Sequence, residues 1–89
     1  MIRNQNFIKR KLGSQYVIVA VGEAAKRFHG MISVNGSGSL IWDCLEKECS
    51  VEDLVAAMTE AYEIDADTAR ADITDFLTNL KEVGAVEGA

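Results

Sequence analysis

Eighty-nine residues, 48% hydrophobic and 26% charged, suffice for a single domain over residues 1–89 with one modest core, and exclude a disordered chain. No apolar run approaches the ~20 residues of a membrane span, and the opening MIRNQNFIKRK has no apolar signal region, so a cytoplasmic protein without membrane contact is expected. The net charge of −5 divides unevenly, +5 over residues 1–35 and −10 over residues 36–89, which argues against phosphate contact by the later part of the chain.

The first element in chain order is a strand over residues 6–12, where NFIKRKL alternates imperfectly. Gly13-Ser14 is a turn signal. The β-branched and aromatic run Tyr16-Val17-Ile18-Val19-Ala20-Val21 reads as the second strand of a hairpin. Residues 22–28 form a connection with room for one helical turn. A third strand spans residues 29–34, with Ile32 and Val34 on one face and Met31 and Ser33 on the other.

At Asn35 the apolar period changes from two to 3.6. Asn35 caps a first helix over residues 36–47, whose apolar side is Leu40, Ile41, Cys44 and Leu45. Trp42 is expected beside that side, half covering the core edge. Ser50 caps a second helix, with Asp53 completing a capping box. Val51, Leu54, Val55, Met58 and Tyr62 follow its buried stripe. Asp65 or Asp67 caps a third helix over residues 66–83, with Ala69, Ile73, Phe76, Leu77 and Leu80 as its core stripe. Gly84 ends it, and Val86 is expected to fold back on the last turn. Three strands followed by three helices give an α+β fold. It is winged-helix-like, with a three-stranded antiparallel sheet placed first (βββααα).

Catalytic chemistry is not assembled by these residues. His29 has no marked partner, and nothing else combines a nucleophile, a base and an oxyanion site. Asp65-x-Asp67 lacks the glycine and closing glutamate of a calcium loop. Gly36-Ser37-Gly38 lacks the lysine of a phosphate-binding loop. Cys44 and Cys49 do not have C-x-x-C spacing and no second pair completes a zinc site. The expectation is a non-enzyme holding no cofactor or metal. Two other classes remain open: a winged-helix DNA-binding transcriptional regulator, and a small redox protein using Cys44 and Cys49.

Three blocks resemble the PqqD family of pyrroloquinoline quinone biosynthesis and peptide-recognition domains. They are Val21-Gly22-Glu23-Ala24-Ala25-Lys26, Phe28-x-Gly30-Met31-Ile32, and Val34-Asn35-x-Ser37-Gly38-x-x-Ile41-Trp42. The later Val51-Glu52-Asp53-Leu54-Val55, Tyr62, Asp72-Ile73-x-x-Phe76-Leu77-x-x-Leu80 and Gly84-Ala85-Val86 fit as well. Gly36 and Ser39 depart from the usual pattern, which has an acid or proline and an alanine there. The resemblance implies a chaperone for the leader segment of a ribosomally made precursor peptide, added as a strand beside the third strand and packed on the third helix. It also implies delivery to a modifying enzyme, a radical S-adenosylmethionine enzyme of the SPASM type, whose iron–sulfur clusters belong to that partner. Arg70, Thr74, Leu77 and Lys81 share a stripe flanking the core stripe, while Asp72, Asp75, Asn79 and Glu82 are expected to face solvent. The expected peptide site is therefore His29, Gly30, Met31, Ile32, Ser33 and Val34 with Arg70, Ile73, Thr74, Leu77 and Lys81. An open edge strand leaves monomer or weak homodimer as the expected state.

Overall fold

The computed structural model describes residues 1–88. Two strands, β2 (Phe7–Leu12) and β3 (Gln15–Ala20), form the expected hairpin. Leu12 pairs with Gln15, and Gly13 takes the positive φ of +66° that the turn requires. A short 3-10 helix, Gly22–Lys26, carries the chain to β4 (Met31–Val34). β4 pairs antiparallel with β3 from Tyr16↔Val34 to Val19↔Met31. The sheet order is β2-β3-β4. Phe7, Ile18, Ile32 and Val34 belong to the core on its inner face, and Met31 on the outer face is 57% exposed.

β4 begins two residues later than the pattern predicts, so His29 and Gly30 lie outside it. The cause is local. The N–H of Phe28 donates to the carbonyl of Ala24 at 3.0 Å, and the Phe28 ring packs tilted against Phe7 with centroids 6.2 Å apart. The chain is thus held in the turn until Gly30, where a Cβ would stand 3.3 Å from Phe28 Cζ.

Helix α1 (Gly36–Cys44) follows at once, its amide of Gly38 donating to Asn35 Oδ1 at 2.8 Å. It stops three residues before the expected end at 47. The N–H of Leu45 is shared between the carbonyls of Ile41 and Trp42, which tightens the last turn. Arg3 then takes two carbonyls there, its N–H bonding Leu45 at 2.9 Å and its Nη1 bonding Trp42 at 3.1 Å. Helix α2 (Val51–Ala61) has the full capping box between Ser50 and Asp53. Helix α3 (Ala66–Glu82) is capped by Asp65, not Asp67, with Thr68 N–H donating at 2.8 Å. It ends in a Schellman motif: Gly84 at φ +79°, Ala85 N–H on the Leu80 carbonyl, and Gly84 N–H on the Lys81 carbonyl.

One element was not expected. Strand β1 (Ile2–Arg3) pairs antiparallel with β5 (Val86–Glu87) in a separate two-stranded ribbon. Val86, expected to fold back on the last turn of α3, is buried and forms part of this ribbon. Arg3 of β1 lies over Trp42, which was expected to half cover the core edge. Trp42 is 1% exposed, with the Arg3 guanidinium carbon 5.4 Å from its ring centroid. Among the described residues, no helix is long and apolar enough to cross a membrane.

Candidate functional site: the β4 edge and its cleft

β4 is last in its sheet, so one side of it has no neighbouring strand. Adjacent residues of a strand direct their backbone groups to alternate sides. Half of the N–H and C=O groups of Met31–Val34 therefore face outward from the sheet. Beside this edge opens a cleft of about 310 Å³. β4 contributes Ser33 and Val34 to it, the start of α1 contributes Asn35, Ser37, Gly38 and Ile41, and α3 contributes Asp72, Asp75, Phe76 and Asn79.

The local sequence explains the cleft's shape. Asn35 Oδ1 accepts both the Gly38 N–H at 2.8 Å and the Ser37 hydroxyl at 2.9 Å, which fixes the strand-to-helix corner. At Gly38 a Cβ would lie 3.3 Å from Val34 Cβ, 3.3 Å from Asn35 Oδ1 and 3.6 Å from Phe76 Cε1. Glycine there lets the first turn of α1 sit close to both β4 and α3. Val34, Ile41 and Phe76 make the floor apolar, whereas Asp72, Asp75 and Asn79 make the α3 wall polar and negative.

The α3 residues singled out from the sequence lie elsewhere. Ile73 is 0% and Leu77 3% exposed, both in the core. Arg70, Thr74 and Lys81 sit on the flank of the core stripe away from the cleft, about half a helical turn from Asp72 at ~100° per residue. Arg70 is paired with Glu52 of α2 through both guanidinium nitrogens, Nη2 to Oε2 at 3.1 Å. The hydrogen bond from Arg70 holds the Glu52 carboxyl below its usual pKa, and the same bond raises Arg70. The structure therefore brings β4 together with Asp72, Asp75 and Asn79, expected to face solvent, and with Phe76, expected in the core stripe. His29 and Gly30 precede β4 and do not line the cleft. One signal in the sequence pointed to the flank that lines the cleft. Phe76, half-buried at the edge of the core stripe, lies on the Asp72–Asn79 side.

The cysteines hold no bond to one another. Cys49 Sγ lies 3.7 Å from the Cys44 carbonyl oxygen. Both thiols have raised pKa values. Desolvation is the larger cause for each, and Asp43 adds to it at Cys44.

A three-stranded antiparallel sheet with β2 and β4 as its edge strands, covered on its inner face by three helices, defines a small α+β fold. The chain belongs to the PqqD family, described as coenzyme PQQ synthesis protein D, which it matches over residues 15–86. A solved structure, TbiB1 in complex with the TbiA(beta) leader peptide, is similar over 100% of this chain and 98% of that one, with a TM-score of 0.78 and 24% identity. That likeness establishes the fold. No curated protein matches the chain in sequence.

Proposed function

We propose that this chain is a non-catalytic recognition domain acting in the cytoplasm. It takes the leader segment of a ribosomally made precursor peptide as a fourth strand on β4. It then presents the peptide to a modifying enzyme, a radical S-adenosylmethionine enzyme in this reading. The observation that carries the proposal is the free outer edge of β4 running directly beside a cleft floored by Val34, Ile41 and Phe76. Membership of the PqqD family and the leader-bound neighbour support it.

The energetics require both parts of the site. Ordering four peptide residues costs roughly 4–8 kcal/mol of backbone entropy. About four edge hydrogen bonds return only roughly 2–6 kcal/mol net. Strand addition alone therefore does not bind, and side chains of the peptide must be buried in the cleft. Met31, Ile32, Ser33 and Val34 supply the pairing edge in this reading. The α3 wall at Asp72, Asp75, Phe76 and Asn79 supplies selection, in place of the Arg70 stripe.

Amide chemical-shift mapping with synthetic leader segments of ribosomally made precursor peptides tests the proposal. Shifts should concentrate in residues 31–38 and 72–79. Shifts confined to the 13–14 turn and the Arg70–Lys81 flank, with β4 silent, would overturn it.

A further inference from the structure

We propose that the peptide taken by this chain carries a lysine or arginine, seated against Asp72 and Asp75, next to an apolar residue resting on Phe76. This rests on the strand-addition reading above and names the class of peptide selected.

Three observations converge on a basic side chain. Asp72 and Asp75 stand one turn apart on the same flank of α3 and both line the cleft. Among the described residues neither carboxylate is in an ion pair, and no lysine, arginine or histidine lines the cleft. Like charges at this spacing repel, so a cation between them relieves a standing cost. The cleft's remaining polar side chains, from Ser33, Asn35, Ser37 and Asn79, are neutral, and the N-terminal amides of α1 supply only a partial positive charge against the two carboxylates.

The floor gives the second half of the match. Lysine and arginine bury an apolar stem while holding the charged head toward polar surroundings. A side chain entering past Phe76 and Ile41 toward the α3 wall meets apolar contact first and carboxylates last. Alternate residues of an added strand point the same way, so a neighbouring inward residue can place an apolar group on the Phe76 ring. An acidic segment, which the Arg70 stripe would favour, is repelled here by Asp72 and Asp75, and Arg70 is engaged by Glu52 on the far flank.

The test is selection of a displayed, fully random peptide library against the wild-type chain, followed by binding measurements on the winners with D72N/D75N. Winners should carry Lys or Arg at one fixed position beside an apolar residue, and should shift the β4 amides. Replacing that base by Gln, or using D72N/D75N, should each weaken binding about 3- to 10-fold, as for two partly exposed charge pairs. The two changes together should cost little more than either alone. The difference should shrink in about 1 M salt, where the screening length falls to roughly 3 Å. Winners that shift β4 but are neutral or acidic, or that bind D72N/D75N equally well, overturn the charge selection and leave strand addition standing. Winners that leave β4 silent, or no winners at all, overturn strand addition and this inference with it. The substitution in the peptide reads out the same contact without any risk to the fold.

Discussion

Trp42 is the largest fully buried side chain of the chain, and its burial depends on residues far from it in sequence. The apolar period of α1 places it beside the buried face, which correctly marks it as a core contributor. Arg3 of β1 lies over its ring, and no local pattern announces a two-residue strand. Trp42→Ala should cost about 3–5 kcal/mol, as large aromatic truncations in a core do. A loss under about 1 kcal/mol in urea melts would show that Arg3 and β1 do not seal it. Ser39 has a role that only the fold makes visible. Its hydroxyl accepts from Lys9 Nζ at 2.6 Å, and the same ammonium reaches Asp43 at 2.7 Å. The thiols behave as packed groups. Because desolvation raises both pKa values, the thiolate fraction at neutral pH is below that of an ordinary cysteine. Disulfide reagents should therefore label native protein slowly at pH 7, faster as pH rises, and fastest after unfolding in urea. Rapid native labelling of both at neutral pH would restore the redox reading.

At the scale of elements, the period change at Asn35 and the caps at Asn35 and Ser50 were legible because each is a short-range pattern with one physical solution, whereas the third cap stayed open between Asp65 and Asp67. The orientation of α3 was not legible. A helical stripe identifies the buried face, but both flanks of that face look alike until the helix is packed. Choosing the basic flank assumed that charge marks the site, whereas Arg70 serves the α2–α3 contact. Arg70→Gln should accordingly lower the melting temperature slightly and leave peptide affinity unchanged. A several-fold affinity loss without unfolding would return the site to that flank. β4 offers a paired experiment with proline. Ile32 and Ser33 are adjacent, so their N–H groups point to opposite sides of the strand. Proline removes the N–H and fixes φ. One of Ile32→Pro and Ser33→Pro should therefore break the ladder to β3 and destabilise the fold. The other should fold and lose peptide binding sharply. If the variant that folds binds as well as wild type, pairing on β4 is not the binding mode.

For the molecule as a whole, the charge asymmetry read from the sequence survives folding with a different consequence. The basic first part builds the hairpin, and Lys9 is spent on α1. The acidic second part supplies a cleft wall immediately beside the open edge. The open β4 edge and the acidic helix are thus parts of one surface, which composition alone could not place. Stability is anchored elsewhere. β1 and β5 close the chain ends over α1 and α3, with the Asn4 N–H on the Ala85 carbonyl at 2.8 Å and Ala85 and Val86 buried. No residue of this ribbon lines the cleft. Binding and global stability should therefore separate if the β4 edge is already formed before the peptide arrives. Val86→Ala removes buried methyl groups and should cost about 1–3 kcal/mol. At temperatures where the variant remains folded, its peptide affinity should equal that of the wild type, measured by titration calorimetry alongside urea melts. An affinity that falls in step with stability would mean that β4 and its cleft are ordered only on binding. Part of the binding free energy would then be spent on folding the site.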